Sequence, residues 1–481
     1  MNLKKKSFKG VAWNGAGNAV RQLLMIVTLI VMARFLTPQD FGRFAILMVF
    51  VEFMNIFSSM GTSQIIIHMS HLSQRMLSTL FYLNVIFGFF IFLLLYFLSK
   101  PIAIFFDDLI FIDLVKVVGL NYILLSLVLV QKALLEKKIQ FKKVVLIESL
   151  SLVIGSACGI LSAINGLGIY SLLIMTLVKT MILSFGFWVS SKWRPSLHFS
   201  LIHIKEVWSF SSNLMAFSTV NYFSRSSDNF LIGKFLGAQS LGYYSLAYKI
   251  MLYPLENVAR VIVRVMFPIF SSIQDDNIRF KRGYLKTITV IAIITFPVMA
   301  GLFSISDNFV HVFLGEDWKE MSAIIVILAP VGLVQSIVTT TGCIYMAKGT
   351  TNILFKMGLL NAIVVVLFFL VGIPYGLKGV AFAYAIANLM LLYPNLFFAW
   401  KQIDLTVMDG LKALLPIAIV SLLMSVLVYF LGMLYMNVTT SKFLVLVTQV
   451  LLGGVFYIFC MFMLNKKNII SVAFDIEKGI S

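Results

Sequence analysis

From Asn221 to Phe267 the chain reads NYFSRSSDNFLIGKFLGAQSLGYYSLAYKIMLYPLENVARVIVRVMF. Two apolar segments of membrane length meet in it at the turn Gly237-Ala238-Gln239-Ser240. Arg225, Asp228, Lys249, Glu256, Arg260 and Arg264 lie inside those segments. A charge near the centre of a bilayer costs about 2.5–3.5 kcal/mol even on the lenient insertion scale, so such residues face a bundle interior or a wet cavity. Arg225 and Asp228 are three positions apart, and Glu256, Arg260 and Arg264 step by four, so each set lies along one helix face. Positive charge is in excess here. A cationic cavity at membrane depth points to an anionic cargo.

The rest of the chain agrees with a membrane protein. It has 481 residues, 60% hydrophobic and only 12% charged, with a mean hydropathy of +0.98. Soluble domains are typically about 25% charged, and too little polar sequence remains here for a separate soluble domain. The net charge of +18 raises nucleic acid as a partner, but Lys and Arg are spread over short loops rather than gathered on one basic face, which excludes it. Cys158, Cys343 and Cys460 lie far apart in apolar segments and show no disulfide or metal spacing. Lys4, Lys5, Lys6 and Lys9 precede a long apolar run without a small-residue cleavage site, which reads as a retained first helix.

At roughly 20 residues per span, the chain divides into about fourteen apolar segments, near 11–34, 42–66, 77–99, 110–133, 145–164, 167–190, 207–235, 241–268, 284–306, 321–346, 353–374, 377–400, 410–436 and 443–464. With the N-terminus inside, the cytoplasmic loops collect most of the Lys and Arg, among them Lys137, Lys138, Lys142, Lys143, Arg279, Lys281 and Arg282. The outer loops hold few basic residues and gather Asp107, Asp108, Asp307, Glu316, Asp317 and Glu320. This positive-inside bias places both termini in the cytoplasm.

An internal repeat supports the count. Arg34-Phe35-Leu36-Thr37-Pro38-Gln39-Asp40-Phe41-Gly42 matches Lys234-Phe235-Leu236-Gly237-Ala238-Gln239-Ser240-Leu241-Gly242, 200 residues on. Gly166-Leu167-Gly168 is echoed more weakly by Gly376-Leu377-Lys378-Gly379. The expected architecture is all-α and polytopic. Two pseudo-symmetric six-helix lobes, 1–200 and 201–402, are followed by two further helices in 403–481. Repeated lobes with a site between them are the layout of alternating-access transporters.

Four stretches carry a family resemblance. They are Trp13-Asn14 with the Arg34–Gly42 motif, Leu135-Glu136-Lys137-Lys138-Ile139-Gln140-Phe141-Lys142-Lys143, Leu241-Gly242-Tyr243-Tyr244-Ser245-Leu246-Ala247-Tyr248-Lys249, and Phe267-Pro268-Ile269-Phe270-Ser271-Ser272-Ile273-Gln274-Asp275. On these the whole chain resembles the multidrug/oligosaccharidyl-lipid/polysaccharide exporter superfamily. It is most similar to the polysaccharide-transporter branch, the Wzx-type flippases including the colanic-acid-exporter-like group. The resemblance implies movement of lipid-linked repeat units to the outer leaflet of a bacterial plasma membrane, around a central cavity between two lobes. It implies no catalytic residues and no cofactor.

Charges in both lobes then become candidates for that cavity. Arg21 lies a third of the way along the first helix, Glu52 is in mid-helix 2 and Lys179 in mid-helix 6. With Arg225, Lys249, Arg260 and Arg264, the cations Arg21 and Lys179 are candidate ligands for the diphosphate of a polyprenyl-diphosphate-linked glycan, since the planar arginine fork donates two parallel hydrogen bonds to phosphate. The plainer alternative is intrahelical pairing, Arg225 with Asp228 and Glu256 with Arg260. Glu52, Asp228 and Glu256 are candidates for cation coupling, because a carboxylate at membrane depth carries a proton or binds sodium. The alternative is that they partner nearby arginines. Tyr248 and Tyr253 are candidates for stacking on sugar rings, although interfacial belts account for most of the aromatics. The basic runs at Lys137–Lys143 and Arg279–Arg282 fit contact with anionic membrane lipids, or more sharply a docking surface for polysaccharide assembly enzymes. His68 and His71 lack an acidic ligand set and do not read as a metal site. No Walker-type glycine loop is present. Pro254, Pro297, Pro330 and Pro394 fall inside helices as candidate hinges.

Three competitors stand beside the flippase reading: a cation-coupled multidrug exporter, a peptidoglycan-precursor flippase, and, from another class, a membrane polysaccharide polymerase. The cationic cavity and the two extra helices disfavour the drug exporter. Short outer loops disfavour the polymerase. Replacing Arg225 by Gln at unchanged protein level is expected to cut transport of lipid-linked glycan; undiminished transport removes Arg225 from the site.

Overall fold

The computed structural model describes residues 3–59, 62–68, 73–197, 219, 222, 226–436 and 441–464. All regular structure among the described residues is helical. In order the helices are α1 (Leu3–Phe35), α2 (Pro38–Ser59), α3 (Thr62–His68), α4 (Gln74–Phe105), α5 (Phe111–Ser126), α6 (Leu129–Lys137), α7 (Phe141–Ile164) and α8 (Tyr170–Ser190). Then come α9 (226–235), α10 (Gly237–Pro254), α11 (Arg260–Ser272), α12 (Asn277–Phe313), α13 (Lys319–Ala347), α14 (Thr351–Gly372), α15 (Gly376–Lys401), α16 (Val407–Met436) and α17 (Lys442–Leu464). Every apolar segment expected from the sequence contains helix among the described residues. Nine of these stretches are long and apolar enough to cross a membrane, or ten if the bent pair α5 and α6 forms one span. One of the nine, Thr351–Lys401, joins α14 and α15. The fourteen-segment reading exceeds that tally partly because Thr351–Lys401 covers two of its segments, because much of the segment 207–235 lies outside the described residues, and because a break divides α10 from α11.

Local chemistry sets the ends. Ser73 is extended and its side chain accepts the Met76 amide at 3.1 Å, capping α4. Asp276 does the same for α12 through the Arg279 amide at 3.0 Å. Pro297, Pro330 and Pro394 lie inside uninterrupted helices. Pro254 differs, because the helical ladder widens just after it into a π-turn at Leu255–Ala259 before α11 continues.

The chain divides into two compact units, Met1–Gly242 and Tyr243–Ser481. In the first, α7 and α8 run very close together. An ideal Cβ on Gly155 would lie 2.7 Å from the Lys179 Cβ, and one on Gly159 2.7 Å from the Met175 Cβ. This small-xxx-small spacing brings two membrane helices to backbone contact, where dispersion replaces the missing hydrophobic drive. The two copies of the repeated motif also meet within this unit. A Cβ on Gly42 would fall 1.6 Å from the Ala238 carbonyl oxygen, and one on Gly242 1.8 Å from that of Pro38. Equivalent positions of the repeat therefore pack on each other, and only glycine fits.

The second unit centres on Phe270, Phe280, Tyr284 and Trp400, all fully buried. Their polar tips are satisfied: the Tyr284 hydroxyl lies 2.6 Å from the Thr340 hydroxyl, and Trp400 Nε1 donates to Tyr284 at 3.1 Å. The last two helices belong to this unit and dock on α12 by polar contacts. Asn308 donates to Gln449 at 2.9 Å, the Ser304 and Ser425 hydroxyls are 2.6 Å apart, and Tyr457 donates to the Ile293 carbonyl at 2.9 Å. Large apolar side chains such as Leu422 and Leu451 stay exposed, as lipid contact requires. Gly42→Leu is expected to lower the thermal midpoint in detergent by several degrees, because overpacking costs about 1–3 kcal/mol and more where backbone must move; an unshifted midpoint would show that α2 and α10 do not touch.

Candidate functional site

In the first unit the sequence-predicted cations Arg21 and Lys179 come together around a residue the sequence reading passed over. Arg21 Nη1 on α1 donates to Glu148 Oε2 on α7 at 2.8 Å. Lys132 Nζ on α6 donates to the other oxygen, Oε1, at 2.7 Å, and lies 3.9 Å from Glu136. Lys179 on α8 lies in the field of Glu148, Lys132 and Arg21. Its side chain is exposed. The glycine contacts of α7 with α8 explain the convergence, since Lys179 is the residue that Gly155 faces. The signal for Glu148 was present as an acidic residue inside an apolar segment. Lys132 lies at the very end of the apolar segment near 110–133, where a basic residue gives no signal of a site.

A second polar group forms beside mid-α2. Tyr122 donates to the Val51 carbonyl at 2.5 Å, and Tyr222 donates to the Val49 carbonyl. Glu52, the residue after Val51, is exposed, and its field reaches both tyrosines. Asp228 is 6% exposed, and its Oδ1 accepts the Asn229 amide at 2.7 Å. Its field also reaches Tyr222. Arg225 lies outside the described residues, and with it the expected pair with Asp228. His71 and the side chain of His68 lie outside them as well.

In the second unit the predicted groups line the helix that carries the π-turn. Glu256 lies within that turn, and its Oε1 accepts from Arg260 Nη1 at 2.9 Å, with side chains 41% and 44% accessible. This is the intrahelical pair expected from the spacing. Arg264, one helical step further, is exposed, and so is Lys249 before the turn. At 1.5 Å per residue, Arg264 and Arg260 sit about 12 and 18 Å in from the Ser272 end of α11. Tyr248 is held in a network. Its ring stacks on Tyr244 at 5.8 Å, and its hydroxyl lies 3.2 Å from that of Tyr384. Gln335 Nε2 donates to Tyr384 at 2.5 Å and to Asn388 at 3.1 Å. Tyr253 is half-buried, and its carbonyl accepts from Asn257 Nδ2 at 2.9 Å.

These arrangements suit binding rather than bond making: cations at membrane depth, amides and phenols. Comparisons with known proteins add the family. Residues 31–323 match the profile of a family described as polysaccharide biosynthesis protein. Lipopolysaccharide biosynthesis protein WzxC of Escherichia coli is 29% identical over 360 residues, which span 74% of this chain and 73% of the relative. Teichuronic acid biosynthesis protein TuaB of Bacillus subtilis is 26% identical over 356 residues, 74% of each chain. Among solved structures, lipid II flippase MurJ in its inward closed conformation superposes with a TM-score of 0.76 at 17% identity, over 94% of this chain and 98% of that one. That likeness concerns the fold, whereas the profile match spans more than half the chain: this multi-pass membrane protein belongs to the polysaccharide biosynthesis protein family, in the polysaccharide-transporter branch that its motifs resemble.

Proposed function

We propose that this protein is a flippase, not an enzyme. It moves polyprenyl-diphosphate-linked oligosaccharide units from the cytoplasmic to the outer leaflet of the bacterial plasma membrane, supplying O-antigen, exopolysaccharide or capsule assembly. The observation that carries the reading is the accessible pair Arg260 and Arg264 within an apolar helix. An arginine accessible at that depth faces lipid or a wet space. Lipid costs about 2.5–3.5 kcal/mol at a helix centre, so the wet space is favoured. A wet cationic surface at membrane depth suits a diphosphate whose glycan must avoid hydrocarbon while its polyprenyl tail stays in the acyl layer. The names of the relatives, one in lipopolysaccharide and one in teichuronic acid biosynthesis, fit a cargo common to several surface polymers.

In this reading Arg21, Lys179, Arg225, Lys249, Arg260 and Arg264 take the diphosphate in turn as the six-helix lobes 1–200 and 201–402 alternate access. Scattered cations let the cargo leave, which a single tight clamp would hinder. Glu52, Asp228 and Glu256 are the carboxylates assigned to cation coupling, and Tyr248 and Tyr253 the rings assigned to the sugars. Both termini are cytoplasmic. The basic cytoplasmic runs meet anionic lipid and the enzymes that build the cargo.

The test uses a host strain lacking the gene and a glycan probe that cannot cross the plasma membrane. Lipid-linked units are expected to stay on the cytoplasmic side, to be released by the intact gene, and to be released at least about tenfold more slowly by an Arg260→Gln, Arg264→Gln copy, since each lost charge-assisted contact removes about 1.5–3 kcal/mol. Units reaching the outer face normally in the deletion strain would refute the flippase, and outer units that fail to lengthen would indicate a polymerase. Glu256→Gln is expected to shift unfolding free energy by less than about 1 kcal/mol, as for an accessible ion pair; a larger loss of stability would make that pair structural.

A further inference from the structure

We infer that Glu148 occupies the seat of a diphosphate, and that Arg21, Lys132 and Lys179 form an anion site in the first unit for the diphosphate head of a polyprenyl carrier. The inference rests on the function proposed above and adds Lys132 and Glu148 to it. Each oxygen of the Glu148 carboxylate is held by a different cation, Arg21 at 2.8 Å and Lys132 at 2.7 Å, on two different helices. A third cation, Lys179, stands in the same field from a third helix. The side chains of Arg21, Glu148 and Lys132 remain 18%, 20% and 35% accessible, so the cluster is open to exchange. With Glu136 counted, three cations still face two carboxylates.

A pair that only offsets a charge inside the membrane needs one cation per carboxylate. Here a bridging carboxylate is gripped as a phosphate would be, with positive charge to spare. A diphosphate carries more charge and more oxygens than a carboxylate, and it matches one guanidinium and two ammonium groups drawn from α1, α6 and α8. The depth agrees. Glu148 is seven residues into α7, about 10 Å from its start. On the orientation proposed above, that is where the head of a carrier in the cytoplasmic leaflet arrives with its chain still among acyl tails. Glu148 then plays the part of an internal competitor. It satisfies the cations while the seat holds no cargo, and it returns as the cargo moves on, which keeps the site from binding too tightly to release.

The experiment titrates farnesyl diphosphate into the full chain in lipid nanodiscs, with inorganic pyrophosphate as competitor. Glu148→Gln is expected to bind about tenfold more tightly than the unchanged protein, and Lys132→Gln about tenfold more weakly. Glu148→Asp keeps the charge but is too short to bridge both cations; it is expected to bind severalfold more tightly, and it serves if the Gln variant does not fold. Pyrophosphate is expected to displace farnesyl diphosphate from each folded form, marking the phosphates rather than the chain as the group recognised. Unchanged or weaker binding by a folded Glu148 variant overturns the inference, as does failure of pyrophosphate to compete. If the Glu148 and Lys132 variants bind normally while Arg260→Gln binds weakly, this site falls and the proposed function stands. If no form binds either anion, both fall.

Discussion

Arg21, Lys132, Glu148 and Lys179 sit on four helices of a membrane protein, and hydrocarbon tolerates none of them alone. Each charge must find a counter-charge or water. The close approach of α7 and α8 meets this constraint in the first unit. Gly155 and Gly159 remove the side chains that would hold the two helices apart, so the backbone carrying Glu148 comes to lie beside the backbone carrying Lys179. Arg21 and Lys132 then close on the carboxylate from α1 and α6. A bulkier residue at either glycine would separate the helices and leave charges uncompensated, so packing and electrostatics in this unit are one problem.

The repeated motif shows the same economy. Proline, alanine and two glycines at equivalent places in the two copies let α2 and α10 cross with carbonyl oxygens where side chains would otherwise be. Nearby, Arg43 pairs with Asp108 at 2.7 Å and Lys234 with Asp107 at 3.0 Å, while Lys234 also lies over the Phe105 ring. This end of the first unit is thus tied by short, mixed contacts rather than by a large apolar core. In the second unit, Pro254 lacks the amide that an α-helix would use, and the chain responds with a π-turn instead of a kinked gap. Glu256 falls within that turn and still reaches Arg260. The cationic face therefore survives the irregularity.

Much was legible in the chain before any fold was seen. Hydropathy over windows of spanning length marked where the helices lie, because the cost of burying backbone and charge in lipid is local and additive. Helical spacing foretold the Glu256 and Arg260 pair, because residues four apart are neighbours in any helix. The motif match at Gly42 and Gly242 was visible as a repeat. That the two copies touch was not, since nothing within either motif reports on a segment 200 residues away.

What the tertiary structure alone decided is which charges meet. Arg21 read as a cation of the cavity and Glu148 was passed over, yet the two are 127 residues apart in sequence and 2.8 Å apart in space. Tyr248 reads from the sequence as a ring for stacking on sugars, and in the fold it is stacked on Tyr244 and its hydroxyl lies beside that of Tyr384. The sequence by itself determined the class of protein, its helices and the sign of its intramembrane charge, all of which follow from composition and short-range periodicity. The pairing of those charges depends on helix–helix approach at single glycines, a long-range property that no local pattern encodes.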